Sequence, residues 1–212
     1  MTNTSLRSTD SLLHATPLVA ILRGVTEATV LEVARVVVDA GFRVIEVPLN
    51  SPNALASIRL LSDAFGQECV CGAGTVTDVA DVQRVYDAGG RLIVAPNVDQ
   101  SVIAAALQLN MLVMPGVATA TEAFSAVKAG ATQLKLFPAS TYGPNHLRAL
   151  RAVLPQHIKL YPVGGVTPNE LPAWKQAGAA GFGFGSELFS PRYSIEEVAQ
   201  RAHAIVSSYQ RA

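Results

Sequence analysis

One rhythm recurs along the chain and constrains its fold more than any other feature. A helical pattern closes on a small pair, usually Ala-Gly, and an apolar run follows at once. The clearest copies are DAGFRVIEVP, DAGGRLIVAP, KAGATQLKLFP and QAGAAGFGFG. In each, a glycine (Gly41, Gly89, Gly130, Gly178) stands just past the helix, where a left-handed residue is wanted and glycine adopts that conformation without steric cost. Eight apolar runs are read as strands, at 18–23, 43–47, 69–73, 91–95, 111–115, 133–137, 158–163 and 181–185. Helical patterns lie between and after them, near 27–40, 52–64, 78–88, 99–109, 119–129, 144–152, 168–177 and 195–209. Several open on cap chemistry: Thr26 before Glu27, Ser51 before Pro52, Thr77 before Asp78 and Thr167 before Pro168.

Strands that alternate with helices imply parallel pairing through right-handed crossovers. Short runs rich in Val, Ile and Leu suit strands covered on both faces. The expectation is therefore one α/β domain over residues 12–212, a single (β/α)8 TIM barrel, preceded by a flexible polar extension at 1–11. The alternative, an open doubly wound sheet, calls for a Gly-rich phosphate turn early in the chain, and none is found. Half of the residues are hydrophobic and 15% are charged, so the core needs neither disulfide nor metal to hold it. A formal net charge of zero argues against nucleic-acid and membrane-surface partners and suits an oligomer. MTNTSLRSTDSLLHATP holds no apolar run of signal-peptide or membrane-spanning length. Cys69 and Cys71 are too close along the chain to bridge without strain. They read as reduced, small apolar filler beside a strand in a cytoplasmic protein.

Barrels of this kind carry their chemistry at the C-terminal ends of the strands. Three charges there interrupt otherwise apolar runs, and burying an unpaired ion costs several kcal/mol or neutralises the group. Lys135, in QLKLF, shares a strand face with Gln133 and Phe137, while Leu134 and Leu136 face the other way. If the leucines cover the helix layer, the lysine points into the barrel. It is one of four lysines in the chain. Lys159 also lies in a strand, but at its beginning. Glu46, in VIEVP, stands at the matching height on the second strand. Lys135 as an ion-pair partner and Glu46 as a structural carboxylate are the plain readings. A lysine and a carboxylate converging on one barrel mouth favour catalysis. Arg23 ends the first strand, either as a solvated rim residue or as a bidentate clamp for a carboxylate. Gly164, Gly165, Gly185 and Ser186 follow the last two strands, where glycine-exposed N–H groups and a helix N-terminus make an anion site. His14, His146, His157 and His203 are scattered and show no metal-binding spacing, so no metal or cofactor is expected.

The set VAILRG (19–24), IEVPLNSP (45–52), GAGTV (72–76), APN (95–97), MPGVATATEA (114–123), LKLFPAS (134–140), YPVGGVTP (161–168) and GFGSEL resembles the 2-keto-3-deoxy-6-phosphogluconate/phosphogalactonate aldolase family. The resemblance runs from about residue 12 to 209 and touches every strand end. It implies that Lys135 is the Schiff-base lysine and Glu46 the general acid/base. It implies that Arg23 and Thr75 hold the keto-acid carboxylate, that Pro96 and Phe137 line the pocket, and that the glycine pair with Gly185 and Ser186 holds a phosphate. It further implies a homotrimer. Asn50, in PLNSP, and Val163, before the glycine pair, resemble the phosphogalactonate branch.

The expected reaction is reversible cleavage of 2-dehydro-3-deoxy-6-phosphogalactonate to pyruvate and glyceraldehyde 3-phosphate. The gluco C4 epimer, or both epimers, is the alternative substrate. A phosphosugar isomerase or epimerase on the same barrel would use the phosphate loops without an imine. A non-catalytic phospho-ligand barrel has no evident use for a buried lysine and glutamate.

Overall fold

A computed structural model describes residues 9–212. Residues 1–8 of the expected N-terminal extension lie outside the described residues, and its last three belong to a helix, α1 (Thr9–Ala15). The chain continues as β1 (Leu18–Ile21), α2 (Val30–Asp39), β2 (Val44–Pro48), α3 (Ala54–Phe65), β3 (Val70–Gly74), α4 (Val79–Asp87), β4 (Leu92–Val94), α5 (Gln100–Gln108) and β5 (Leu112–Met114). It then runs through β6 (Gly116–Val117), α6 (Ala120–Lys128), β7 (Gln133–Leu136), α7 (Ala139–Val153), β8 (Lys159–Pro162), a 3₁₀ turn at Pro168–Glu170, α8 (Leu171–Gln176), β9 (Phe182–Phe184) and α9 (Ile195–Arg211).

All strand pairs are parallel, as the alternation requires. They form a six-stranded sheet in the order β5-β4-β3-β2-β1-β9 and a three-stranded sheet in the order β6-β7-β8. The fifth expected strand is divided by Pro115, which has no N–H to give to a ladder. The two sheets touch at both seams. Lys135 N–H donates to Pro115 O at 2.9 Å on one side. Ala180 N–H donates to Leu160 O at 2.9 Å, and Val163 bridges Gly183, on the other.

Glycine ends the helices as read: Gly41, Gly89, Gly130 and Gly178 have φ of 118°, 88°, 103° and 100°. Thr167 forms the expected cap, exchanging hydrogen bonds with Glu170. The cap of α4 falls one residue later than expected, because the Asp78 carboxylate rather than Thr77 accepts from Ala80 N–H at 2.8 Å. Thr26 and Ser51 cap no helix, since α2 and α3 begin at Val30 and Ala54.

Strand alternation separates two cores. The larger lies between strands and helices and holds Ala20, Ile45, Val47, Ile93, Leu134, Leu136 and Leu160. The smaller lies on the opposite strand faces: Val19, Ile21, Val44, Val70, Leu92, Val94, Leu112, Met114, Tyr161 and Val163. Leu12 and Leu13 of α1 complete it. They pack where the strands begin, so α1 is the floor of this inner core, a role that the repeating rhythm does not signal. Leu13 is fully buried. Leu13→Ala is expected to destabilise the fold by about 2–5 kcal/mol. A denaturant midpoint barely changed from wild type would show that α1 is dispensable.

Candidate active site

The site grows from β7. All four residues of QLKL are buried. Leu134 and Leu136 go to the helix side, which leaves Gln133 and Lys135 facing the inner core. Lys135 is 7% exposed and borders a cavity of about 230 Å³. Its Nζ lies 4.7 Å from the centroid of the Phe137 ring. Among the described residues, no carboxylate lies within 4.0 Å of this amine, the three ion pairs being Arg35–Glu68, Arg84–Asp81 and Arg201–Glu197. Burial pushes the Lys135 pKa below the ordinary lysine value; the field of Glu46 opposes this and that of Arg23 adds to it.

Glu46 pairs in register with Ile21 on β1 and Gly72 on β3. It is 2% exposed, and its Oε2 is buried with no hydrogen-bond partner. Burial raises its carboxyl above the usual range, against the lowering fields of Lys135 and Arg23. Glu46 does not line the cavity; Arg23, Thr75, Pro96, Lys135 and Phe137 do.

Asn50 also stands off the cavity wall. Its Oδ1 accepts a short hydrogen bond from the Arg23 guanidinium, whose other terminal nitrogen donates to Thr75 Oγ1 at 3.4 Å. The arginine thus sits between two polar acceptors from the ends of β2 and β3. Thr75 has φ of 59°, a left-handed conformation that a β-branched residue adopts at a cost of roughly 1–3 kcal/mol. Nothing in the sequence signals that strain.

Val163, Gly164, Gly165, Gly185 and Ser186 border the same cavity. Gly164 and Gly165 have φ of 93° and 74°, a turn that side chains would resist. A Cβ on Gly165 would also fall 2.7 Å from Ser140 Cβ. No acceptor among the described residues takes the N–H of Gly165, Val166, Ser186 or Glu187. Tyr193 OH holds the Ser186 carbonyl at 3.2 Å, and Arg201 holds that of Glu187 at 3.2 Å. In a trans peptide the N–H points opposite to the C=O, so pinning Ser186 O fixes the Glu187 N–H on the other side. Such oriented free N–H groups suit an anion. β9 is followed by a single turn, in which Leu188 and Phe189 N–H both return to Gly185 O, and the last helix, α9, starts at Ile195, where its pattern is read.

Ile21, Gly183 and Glu187 also line the cavity and were not anticipated. Strand parity points to the first two, as neighbours by two of Arg23 and Gly185; no pattern points to Glu187. A larger depression, about 610 Å³, is lined by Glu27, Ser51, Asp81 and Arg84 among others, and includes neither Lys135 nor Glu46. Among the described residues, no group of three or more His, Cys, Asp or Glu side chains could hold a metal ion.

The chain is thus a parallel-stranded α/β protein in which a buried lysine and unpaired backbone N–H groups border one cavity and a buried carboxyl stands off its wall. The family described as KDPG and KHG aldolase matches residues 9–203, and the chain belongs to it. It is 48% identical to the 2-dehydro-3-deoxy-6-phosphogalactonate aldolase of Escherichia coli K12 over 92% of its own length and 96% of that protein's. It is 44% identical to a probable 2-dehydro-3-deoxy-6-phosphogalactonate aldolase of Rhizobium meliloti 1021, over 91% of each chain. A solved structure of native KDPGal superposes with a TM-score of 0.91 at 48% identity, covering 92% of this chain and 95% of the other.

A buried, unpaired amine weakens the fold. In the unfolded chain Lys135 titrates near 10.5, and in the folded protein lower. Between those values the unfolded state holds the extra proton, so stability rises with pH across that window. Lys135→Met is therefore expected to stabilise the protein at neutral pH by on the order of 1 kcal/mol, with a gain that shrinks as pH approaches the unfolded pKa. Paired melts of wild type and variant at neutral and alkaline pH test this; a destabilised variant at neutral pH would make the lysine a structural charge.

Proposed function

We propose that this chain is a class I, Schiff-base aldolase that reversibly cleaves 2-dehydro-3-deoxy-6-phosphogalactonate to pyruvate and glyceraldehyde 3-phosphate, with Lys135 as the nucleophile. The observation that carries this reading is the Lys135 amine: buried beside a cavity, away from any contacting carboxylate, and shifted toward its uncharged form. Only the uncharged amine can attack a ketone.

Attack on C2 gives a carbinolamine. Glu46, whose carboxyl burial shifts toward its neutral form, protonates the departing hydroxyl, and water leaves. The resulting iminium is the electron sink. The Glu46 carboxylate then takes the C4 hydroxyl proton, the C3–C4 bond breaks, and its electrons pass to the iminium as an enamine. Glyceraldehyde 3-phosphate departs. Protonation at C3 and addition of water release pyruvate and free the amine. Arg23 and Thr75 orient the substrate carboxylate, Pro96 and Phe137 wall the reacting carbons, and the N–H groups around Gly164, Gly165, Gly185 and Ser186 hold the phosphate. Asn50 and Val163 are assigned to epimer preference, and the two relatives named above support the galacto branch.

The architecture fits this assignment. With β5 and β6 taken as one strand interrupted at Pro115, hydrogen bonds at both seams support our reading of the two sheets as one eight-stranded barrel. We assign the enzyme as a homotrimer. A solved cage 47% identical to this chain, designed by fusing symmetric oligomeric domains, supports an oligomer. We place it in the cytoplasm, in keeping with its free Cys69 and Cys71, whose thiols burial pushes upward, that of Cys69 to about 12.

Incubation with pyruvate and borohydride is expected to add a reduced pyruvyl mass to the peptide carrying Lys135, and Lys135→Ala to lose both the adduct and turnover. Activity retained in the alanine variant would end the assignment. Parallel assays are expected to show faster cleavage of the galacto than of the gluco epimer, unaffected by chelator. Equal or reversed rates would remove the branch assignment and leave the chemistry standing.

A further inference from the structure

The carboxyl of Glu46 fills space that a side chain on the neighbouring strand would need. Gly74 closes β3 and pairs in register with Pro48, two residues beyond Glu46. A Cβ built on Gly74 would fall 1.3 Å from Oε2, 2.5 Å from Cδ and 3.1 Å from Oε1 of Glu46, and these are its three nearest atoms. Gly74 is not among the positive-φ residues, so backbone conformation does not demand glycine there. What it leaves open is room for one carboxyl.

We propose that Gly74 is a positioning residue: the notch it leaves in β3 seats the Glu46 carboxyl and keeps it from closing onto Lys135 as an ion pair. This inference rests on the proposed roles of Lys135 and Glu46. The charged groups whose fields reach Glu46 are Lys135 on β7 and Arg23 beyond β1, and neither makes an ion pair with it. A methyl group at position 74 meets the far end of a flexible side chain, so the carboxyl gives way rather than the sheet. Once expelled, it is drawn toward those two cations. Contact with Lys135 would favour ammonium and carboxylate together. The amine would keep its proton and lose its nucleophilicity, and the carboxyl would lose the proton it has to donate.

The test is a double-substitution cycle of Gly74→Ala with Glu46→Gln. Gly74→Ala is expected to keep the wild-type melting temperature within a few degrees and to lower kcat by on the order of 10²-fold. The acid limb of its pH–rate profile, set by loss of the amine proton, is expected to move up and the alkaline limb, set by loss of the carboxyl proton, to move down. Added to Glu46→Gln, the same alanine should cost less than about threefold, since its effect passes through a carboxylate already removed. Equal losses in both backgrounds, an unmoved pH profile or undiminished turnover in Gly74→Ala would overturn the inference. If Gly74→Ala does not fold, folding regained in Gly74→Ala/Glu46→Ala supports the notch, and failure of that pair overturns it. The Glu46→Gln single variant keeps the two claims apart, because full kcat there would sink the acid/base role of Glu46 itself.

Discussion

A buried lysine amine bordering a cavity, with no carboxylate among the described residues in contact with it, is the constraint on which the rest of this structure turns. Two influences favour its charged form, the Glu46 field and the face of the Phe137 ring, 4.7 Å away. A cation over an aromatic ring gains about 0.5–2 kcal/mol, and a contacting carboxylate at 4 Å about 4 kcal/mol at an effective dielectric of 20. Desolvation, with help from Arg23, outweighs what remains of these, because the carboxylate is kept beyond contact. A carboxylate brought into contact with the amine would add to the influences that favour the ammonium. The geometry around Glu46 therefore matters more than the mere presence of an acid and a base.

That separation follows from how residue size varies along the strands. Near the floor, inward positions carry Val19, Val44, Val70, Leu92 and Leu112, sealed by Leu12 and Leu13. Toward the other end, inward positions of several strands become glycine: Gly74, Gly116 and Gly183. A Cβ on Gly116 would strike the Pro96 backbone at 2.4 Å, and one on Gly183 would lie 2.8 Å from a Val163 methyl. A well-packed base and a mouth stripped of side chains leave a cavity beside the few long polar groups retained there. Close packing below and open space above thus arise from one variation of residue size along the inward strand faces.

Most of this was legible in the chain because it is periodic. The post-helical glycines and apolar runs locate the strands to within a residue or two, and parity alone turns Lys135 inward and Leu134 and Leu136 outward. Other features are not periodic and could not be read that way. The division of the fifth strand at Pro115 depends on a missing donor whose effect is seen only once the neighbouring strands are in place. The floor helix α1 falls before the rhythm begins. Glu187 and the left-handed Thr75 belong to irregular turns, where conformation is set by tertiary contacts such as Tyr193 on Ser186 O rather than by local sequence. Asn50 reaches the site by acting on Arg23, and the seat of Glu46 beside Gly74 depends on the neighbouring strand, neither of which strand parity alone expresses.

The charge pattern sets how such a site recognises an anion. The formal net charge is zero, so no global field draws a polyanionic substrate in. Attraction must come from groups at the mouth, and these are unequal. At one side stands a guanidinium oriented by Asn50 and Thr75; at the other stand neutral N–H groups, with the Glu187 carboxylate nearby. A full positive charge suits an α-keto carboxylate close to Lys135, because the same charge disfavours the ammonium form. Neutral dipoles suit a phosphate farther off, since they bind it without adding a second cation whose field would also act on Glu46. On the proposed reading, the two anionic ends of the substrate are thus told apart by the kind of positive potential each meets, and the reacting carbons are set between them beside the amine.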